Sequence, residues 1–352
     1  MVPAFTSKDV ARVAGVSQST VSYVMSGKRP ISQPTRERVL AAMEQLTYQP
    51  HAGARALAGR RTKVVGLVAP FDVTVGMAVV LPFIETIAIS ARAQDHEVLL
   101  VTADEGSAGL RRLAGRALCD AIVMMDILAQ DERVPVAASL PIPVVLVGVP
   151  DDPAGLRCVD LDFEAAARMA IDELVATGHD EIIVVGFPAV MMERGINYIG
   201  RFLRAARSQA QARCLRLTVL EPVESGGVAA AHAVERVLAA GSRTRLGLLV
   251  PHSPVIGSLL HALRERDVLP GRDISFIGLS TDHQAEQSHP PYTNISEEPR
   301  DVSRRAVETL FWLLDPAPGV EPPAIDLIAP RLTRRGTVMP AEQPMVELLT
   351  SP

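Results

Sequence analysis

The chain predicts an α/β protein. An all-α N-terminal part of about sixty residues precedes two doubly wound parallel-sheet lobes. Three observations predict this. Short helical patterns, punctuated by turn residues, fill the first 48 positions. From Thr62 onward, β-branched apolar runs alternate with amphipathic stretches in two series of comparable length. Charge divides at the same boundary: residues 1–61 hold nine Lys/Arg against three Asp/Glu, a net of +6, while the rest hold 26 basic and 37 acidic side chains, a net of −11. The whole-chain charge of −5 conceals a cationic head on an anionic body, the distribution that a polyanion-binding module needs.

Composition narrows the class. At 352 residues the chain is long enough for two or three folding units, and 48% hydrophobic residues supply their cores. Cys119, Cys158 and Cys214 are odd in number and far apart, which is neither a disulfide framework nor a CxxC metal pattern. Each is expected to be a small buried apolar residue in a reducing interior. The N-terminus has no cationic-then-apolar signal pattern, and no run reaches the roughly 18 apolar residues of a membrane span. The expectation is a soluble cytoplasmic protein with no membrane association, no metal and no cofactor.

Three helices are expected before Tyr48. The first opens at Thr6-Ser7-Lys8-Asp9, a capping-box-like start, and repeats Val10, Ala11 and Ala14 along one face. Gly15 supplies the positive φ of a tight turn, Val16 anchors it, and Ser17 caps the next helix. That second helix, Ser17 to Met25, buries Val21 and Val24 and exposes Gln18, Ser19, Ser22 and Tyr23. A third runs from about Ser32 to Leu46, with Val39, Met43 and Leu46 inward and Pro34 harmless in its first turn. Two short helices joined by a Gly-containing turn form a helix-turn-helix, whose second helix enters the major groove. Its polar face carries donors and acceptors rather than charge alone, which suits reading base edges.

From Thr6 to Gly27 the sequence resembles the LacI/GalR headpiece almost residue for residue. The resemblance implies that Gln18, Ser19 and Tyr23 hold the base-reading positions, and that Thr6, Ser17, Thr20 and Ser22 touch the DNA backbone. For Ser17 and Thr20 a capping or packing role stands beside the phosphate contact, and Tyr23 could instead stack on sugar or pack locally. Residues 49–61 resemble the family's hinge helix, which forms in the minor groove when two copies meet on DNA. There Leu57 is the wedge that unstacks a central base step, Arg55 lies along the groove edge, and Ala54 is small enough to sit near the bases. The alternative is a plain linker with Leu57 docked on the core. His51 replaces the commoner Asn, and Gly53 lowers helix stability by up to roughly 1 kcal/mol.

The core, residues 62–340, resembles the periplasmic-binding-protein-like effector domain of the same family, on landmarks such as Gly178-His179-Asp180, Asp273-Ile274-Ser275 and Pro330-Arg331-Leu332. Lobe one is expected at about 62–159 and 294–322, lobe two at about 160–289 and 327–340, with a tail at 341–352. The resemblance places crossings between lobes near Asp160, near His289 to Asn294 and near Pro322 to Leu327. Four positions that hold Arg, Asn-Asp, Asp and Asn in sugar- or purine-binding members are here Asn197, Pro251-His252, Ser280 and Phe163. That pattern argues against an ordinary sugar effector, since carboxylates and Arg replace a polyol's water hydrogen bonds. Candidate cleft residues are Phe71, Phe163, Met192, Arg194, Asn197, His252 and Ser280.

The expected function is a transcriptional regulator, most simply a repressor. It would bind double-stranded, pseudo-palindromic operator DNA as a homodimer, modulated by an unknown small-molecule effector. The helix after Pro70 and that from Gly106 are the expected dimer surface. Competing expectations are a regulator whose cleft has lost its ligand, or a small-molecule binding protein with no DNA role. An enzyme is disfavoured: no GxGxxG, P-loop, GxSxG or HExxH motif occurs, and the eight His are scattered.

Overall fold

A computed structural model describes residues 5–26, 29–46, 48, 61–71, 77–221, 223–224, 226–240, 245–316, 319 and 321–341. The expected hinge contacts Ala54, Arg55 and Leu57 lie outside the described residues, as does nearly all of the tail.

The headpiece is three helices: α1 (Ser7–Ala14), α2 (Gln18–Ser26) and α3 (Gln33–Gln45). Their inward faces meet in a small core of Val10, Ala11, Ala14, Val21, Val24, Val39 and Ala42, with Met43 and Leu46 partly buried against it. Tyr48, beyond the end of α3, joins that core as the last residue before the expected hinge.

The main body begins at Thr62, where the Asp120 carboxylate accepts from the Thr62 and Lys63 backbone N–H groups at 2.6 and 2.8 Å. The first sheet contains β1 (Val64–Ala69), β2 (Glu97–Thr102), β3 (Ala121–Met124), β4 (Val144–Val147), β5 (Arg157–Leu161) and β11 (Ile325–Ile328). The order is β11-β5-β4-β3-β1-β2, and every pairing is parallel. One face is covered by α4 (Met77–Ala93) and α13 (Pro299–Leu314), the other by α5 (Gly106–Gly115) and α6 (Arg133–Ala138). Strands such as Val64–Ala69 are continuously apolar because both faces are buried.

The second sheet contains β6 (Glu181–Val185), β7 (Arg216–Leu220), β8 (Leu246–Val250), β9 (Ser275–Leu279), β10 (Thr293–Ile295) and β12 (Leu332–Thr333), in the order β12-β10-β9-β8-β6-β7. Only the edge pair β10–β12 is antiparallel. On one face lie α7 (Phe163–Ala176) and α9 (Asn197–Ala212); on the other lie α10 (Gly227–Ala240) and α11 (Ser253–Arg264). Two short helices, α8 (Ala189–Glu193) and α12 (Asp282–Gln287), complete the lobe. In β9, a Cβ on Gly278 would meet Tyr292 Cε2 at 2.7 Å, so the ring of Tyr292 needs glycine there.

The strands shift the expected lobe boundaries. β10 belongs to the second sheet and β11 to the first, so the second crossing follows Ile295 and the third follows Ile328, later than expected. These short strands lie at sheet edges or beside them and lack a long apolar run, which hid them in the sequence. Cys119 and Cys158 are buried as expected, and burial pushes their thiols up to about 11 and 12. Cys214 departs from the expectation: it is exposed, at φ 54 in the turn that ends α9.

Candidate nucleic-acid interface and interlobe cleft

The helix pair of the headpiece is fixed by local chemistry. The Asp9 carboxylate accepts from the Thr6 N–H at 2.9 Å and from its hydroxyl at 2.8 Å, which ties the start of α1 and holds the Asp9 carboxyl below its ordinary range. Gly15 closes α1 at φ 64, a conformation that L side chains avoid. Ser17 Oγ accepts from the Thr20 N–H at 3.1 Å, the N-cap contact of α2. The same hydroxyl lies 2.8 Å from Thr20 Oγ1 and 2.7 Å from Ser19 Oγ.

Gln18, Ser19 and Ser22 are exposed along α2, and Thr6 and Ser17 are exposed beside them. Thr20 is half-buried. Gln18 Nε2 donates to Ser7 Oγ at 3.0 Å, so its amide is pre-positioned against α1. Tyr23 is half-buried, with the Arg29 guanidinium 5.3 Å from its ring centroid. The face thus combines hydroxyl and amide groups with a nearby cation.

The second site lies between the lobes, at the carboxyl ends of strands, where doubly wound folds bind ligands. Its rim is a clasp. The Ala129 N–H donates to Gly195 O at 2.8 Å, the Asn197 N–H to Ile127 O at 3.3 Å, and Asn197 Nδ2 to Asp151 Oδ1 at 3.2 Å. Arg194 pairs with Asp126, and Arg201 Nη1 donates to Asp160 Oδ2 at 2.8 Å. Behind the clasp is a cavity of about 140 Å³ bordered by residues of both lobes. A larger cleft of about 540 Å³ opens beside it, between Phe71, Asp104, Arg133 and Arg194.

The expected cleft residues separate on this geometry. Phe163 and Asn197 line the inner cavity, Phe71 and Arg194 line the outer cleft, and Met192 lines a separate pocket of about 190 Å³ with Asn197 and Arg204. His252 and Ser280 correct the expectation, because both are buried in the second lobe and line none of these cavities. His252 starts α11 with its ring 5.7 Å from that of Phe187, and burial pulls it down to about 4. Ser280 Oγ accepts from the Tyr292 hydroxyl at 2.8 Å.

Sequence reasoning missed Asp126, Asp160, Tyr198, Arg201 and Glu297. They supply the carboxylates and Arg that the four substituted positions lack, so those substitutions alone do not argue against a hydroxyl-rich ligand. Asp126 was legible as the acid directly beyond a buried strand. Asp160 and Glu297 sit on crossing segments, and Arg201 faces inward from α9, with no local signal.

Comparison with known proteins finds relatives for both parts of the chain. Residues 6–51 match the family described as bacterial regulatory proteins, lacI family, and residues 171–338 match a periplasmic binding protein-like domain. Catabolite control protein A of Priestia megaterium is 26% identical over 310 residues, 87% of this chain and 91% of that protein. The lactose operon repressor of Escherichia coli K12 is 25% identical over 317 residues, 88% of this chain and 84% of that one. The repressor PurR of Vibrio cholerae is 27% identical over 321 residues, covering 87% and 90%. Among solved structures, the lac repressor dimer bound to operator and the anti-inducer ONPF superposes with a TM-score of 0.79 at 21% identity, over 96% of this chain and 100% of that one. A regulator CelR–cellobiose complex gives 0.65 at 20% identity, covering 95% and 99%. With a lacI-type helix-turn-helix joined to a two-lobed periplasmic-binding-protein-like core, the chain belongs to the lacI family and is a DNA-binding transcriptional regulator.

Proposed function

We propose that this regulator represses transcription as a homodimer on a pseudo-palindromic operator, and that a small molecule held between the lobes changes its affinity for DNA. The observation that carries the reading is the exposed polar face of α2 on a cationic headpiece, backed by a clasped, two-lobed core. Gln18, Ser19 and Tyr23 read bases in this proposal, and Thr6, Ser17, Thr20 and Ser22 position the helix on phosphates. Ala54, Arg55 and Leu57 act in the minor groove. Both solved relatives named above are complexes, one with operator and anti-inducer and one with cellobiose.

The dimer surface is proposed on α4. Met77, Leu81 and Ile89 are 48%, 56% and 64% exposed there, and Leu100 on the neighbouring edge strand is also exposed. Apolar side chains clustered this way mark an interaction surface. The other helix expected at the interface, α5, turns Leu110 and Leu113 inward and presents no large exposed apolar residue. Selection of duplexes from a random pool tests the reading. An inverted repeat enriched by a sedimenting dimer supports it. A monomer that binds all duplexes equally at moderate salt ends it.

A further inference from the structure

The inner cavity has one-sided chemistry. Its apolar walls are Val80, Phe83 and Met125 from the first lobe, with Phe163 and Tyr198 from the second. The Phe163 and Tyr198 rings stack with centroids 4.6 Å apart. Its other polar residues are chiefly acceptors: Asp126, Asp160, Glu297 and Asn197. Asn197 is 6% exposed; its Nδ2 donates to Asp151, and its Oδ1 is buried with no hydrogen-bond partner.

Counting charge sharpens this. Asp126 has Arg194 and Asp160 has Arg201, but Glu297 has no cationic partner among the described residues. In the adjoining segment, whose Arg331 carbonyl accepts from the Ser296 N–H, Arg331 Nε donates to Glu298 at 2.9 Å and Arg335 donates to Asn294. Burial alone pushes the Glu297 carboxyl up to about 8. An apolar occupant would leave the Glu297 carboxyl and Asn197 Oδ1 without partners, and an anion would meet a wall of carboxyls. A neutral polyol would bring donors but no charge for Glu297.

We propose that this cavity receives a small organic cation, one protonated nitrogen on an apolar or aromatic body no larger than about a single ring. The inference rests on the reading of the cleft as an effector site. Aromatic faces beside the carboxyls add attraction for a cation. Size follows from volume: an apolar cavity of about 150 Å³ engineered in another protein holds benzene.

The test is thermal unfolding of the full-length protein with millimolar benzylamine and butylamine, each beside its alcohol isostere, with benzoate as the anionic control. Sugars and purines form a second panel. Both amines are expected to raise the midpoint by linkage, with little effect of alcohols or benzoate. E297Q, and E297A as a second variant, are expected to weaken the amines at least about tenfold. Equal stabilisation by amines and alcohols, unchanged amine affinity in both variants, or stabilisation by the second panel alone overturns the cation assignment and leaves the cleft an effector site. No shift with any compound overturns both.

Discussion

The Arg194 guanidinium, at the end of α8 in the second lobe, is bonded to the Asp126 carboxylate, directly after β3 in the first. Arg194 keeps 30% of its side chain exposed and Asp126 only 5%, so the pair sits at the mouth of the cleft with its acid already desolvated. D126N is expected to cost about 1–2 kcal/mol, between an exposed and a fully buried pair. The melting midpoint should fall by a few degrees, and the radius of gyration from X-ray scattering should rise as the lobes part. An unchanged radius would show that the backbone contacts at Gly195 and Asn197 hold the clasp without the ion pair.

Three desolvated titratable groups set a stability optimum. Glu297 is raised to about 8 and Asp160 to about 6, both by burial, above ordinary values of 4.5 and 3.8. Their contribution is therefore present below those ordinary values and is lost as pH rises through 6 and then 8. His252, lowered to about 4 from 6.5, has the opposite sign: its contribution is present above 6.5 and lost as pH falls towards 4. Around Glu297 stand Tyr198 and Tyr292, with Asp126 and Asp160 across the cavity and their partners Arg194 and Arg201 behind. E297Q is expected to raise the midpoint by several degrees near pH 8 and to change it little near pH 5. Equal gains at both pH values would mean that the wild-type carboxyl is ionised throughout.

Headpiece and hinge variants separate base reading from deformation. Gln18→Ala is expected to change which operator sequence is preferred, by roughly 1–3 kcal/mol of discrimination at one base pair. Leu57→Ala is expected to lower operator affinity far more than binding to random DNA, since only the specific complex is kinked. Binding isotherms on operator and random duplexes check both. Uniform loss on every sequence from both variants contradicts the assigned roles.

Salt supplies an independent measure. Each phosphate neutralised contributes about −0.9 to the slope of log K against log salt. A dimer carrying two basic headpieces should therefore show a steep slope, and truncation to residue 62 onward should abolish it. A shallow slope in the full-length protein would place little of the binding free energy on phosphates.

On α4, Ile89→Glu puts a charge on the most exposed apolar side chain of the proposed interface. Sedimentation at micromolar concentration is expected to shift from dimer to monomer, with loss of inverted-repeat binding and little change in melting of the core. A dimer that persists moves the interface elsewhere.

The headpiece was legible in the sequence because its contacts are local. Gly15 needs its φ whatever surrounds it, Ser17 caps a helix three residues away, and Val10, Val21 and Val39 bury at helical spacing. The long strands were legible too, since burial on both faces writes a continuous apolar run such as Leu246–Val250. Sequence likewise separated the positive head from the negative body.

Only the tertiary structure decided which polar residues meet between the lobes. Arg194 and Asp126 are 68 positions apart, Arg201 and Asp160 are 41 apart, and Glu297 comes from a third segment. No periodicity records such encounters, because they depend on how two separately folded sheets close on each other. Packing inside the second lobe withdrew His252 and Ser280 from the cleft, His252 against Phe187 and Ser280 against the Tyr292 hydroxyl, since a side chain at a strand end can point to the crevice or back into its own lobe. Desolvation of Glu297 is likewise a property of the assembled cavity and of no segment by itself.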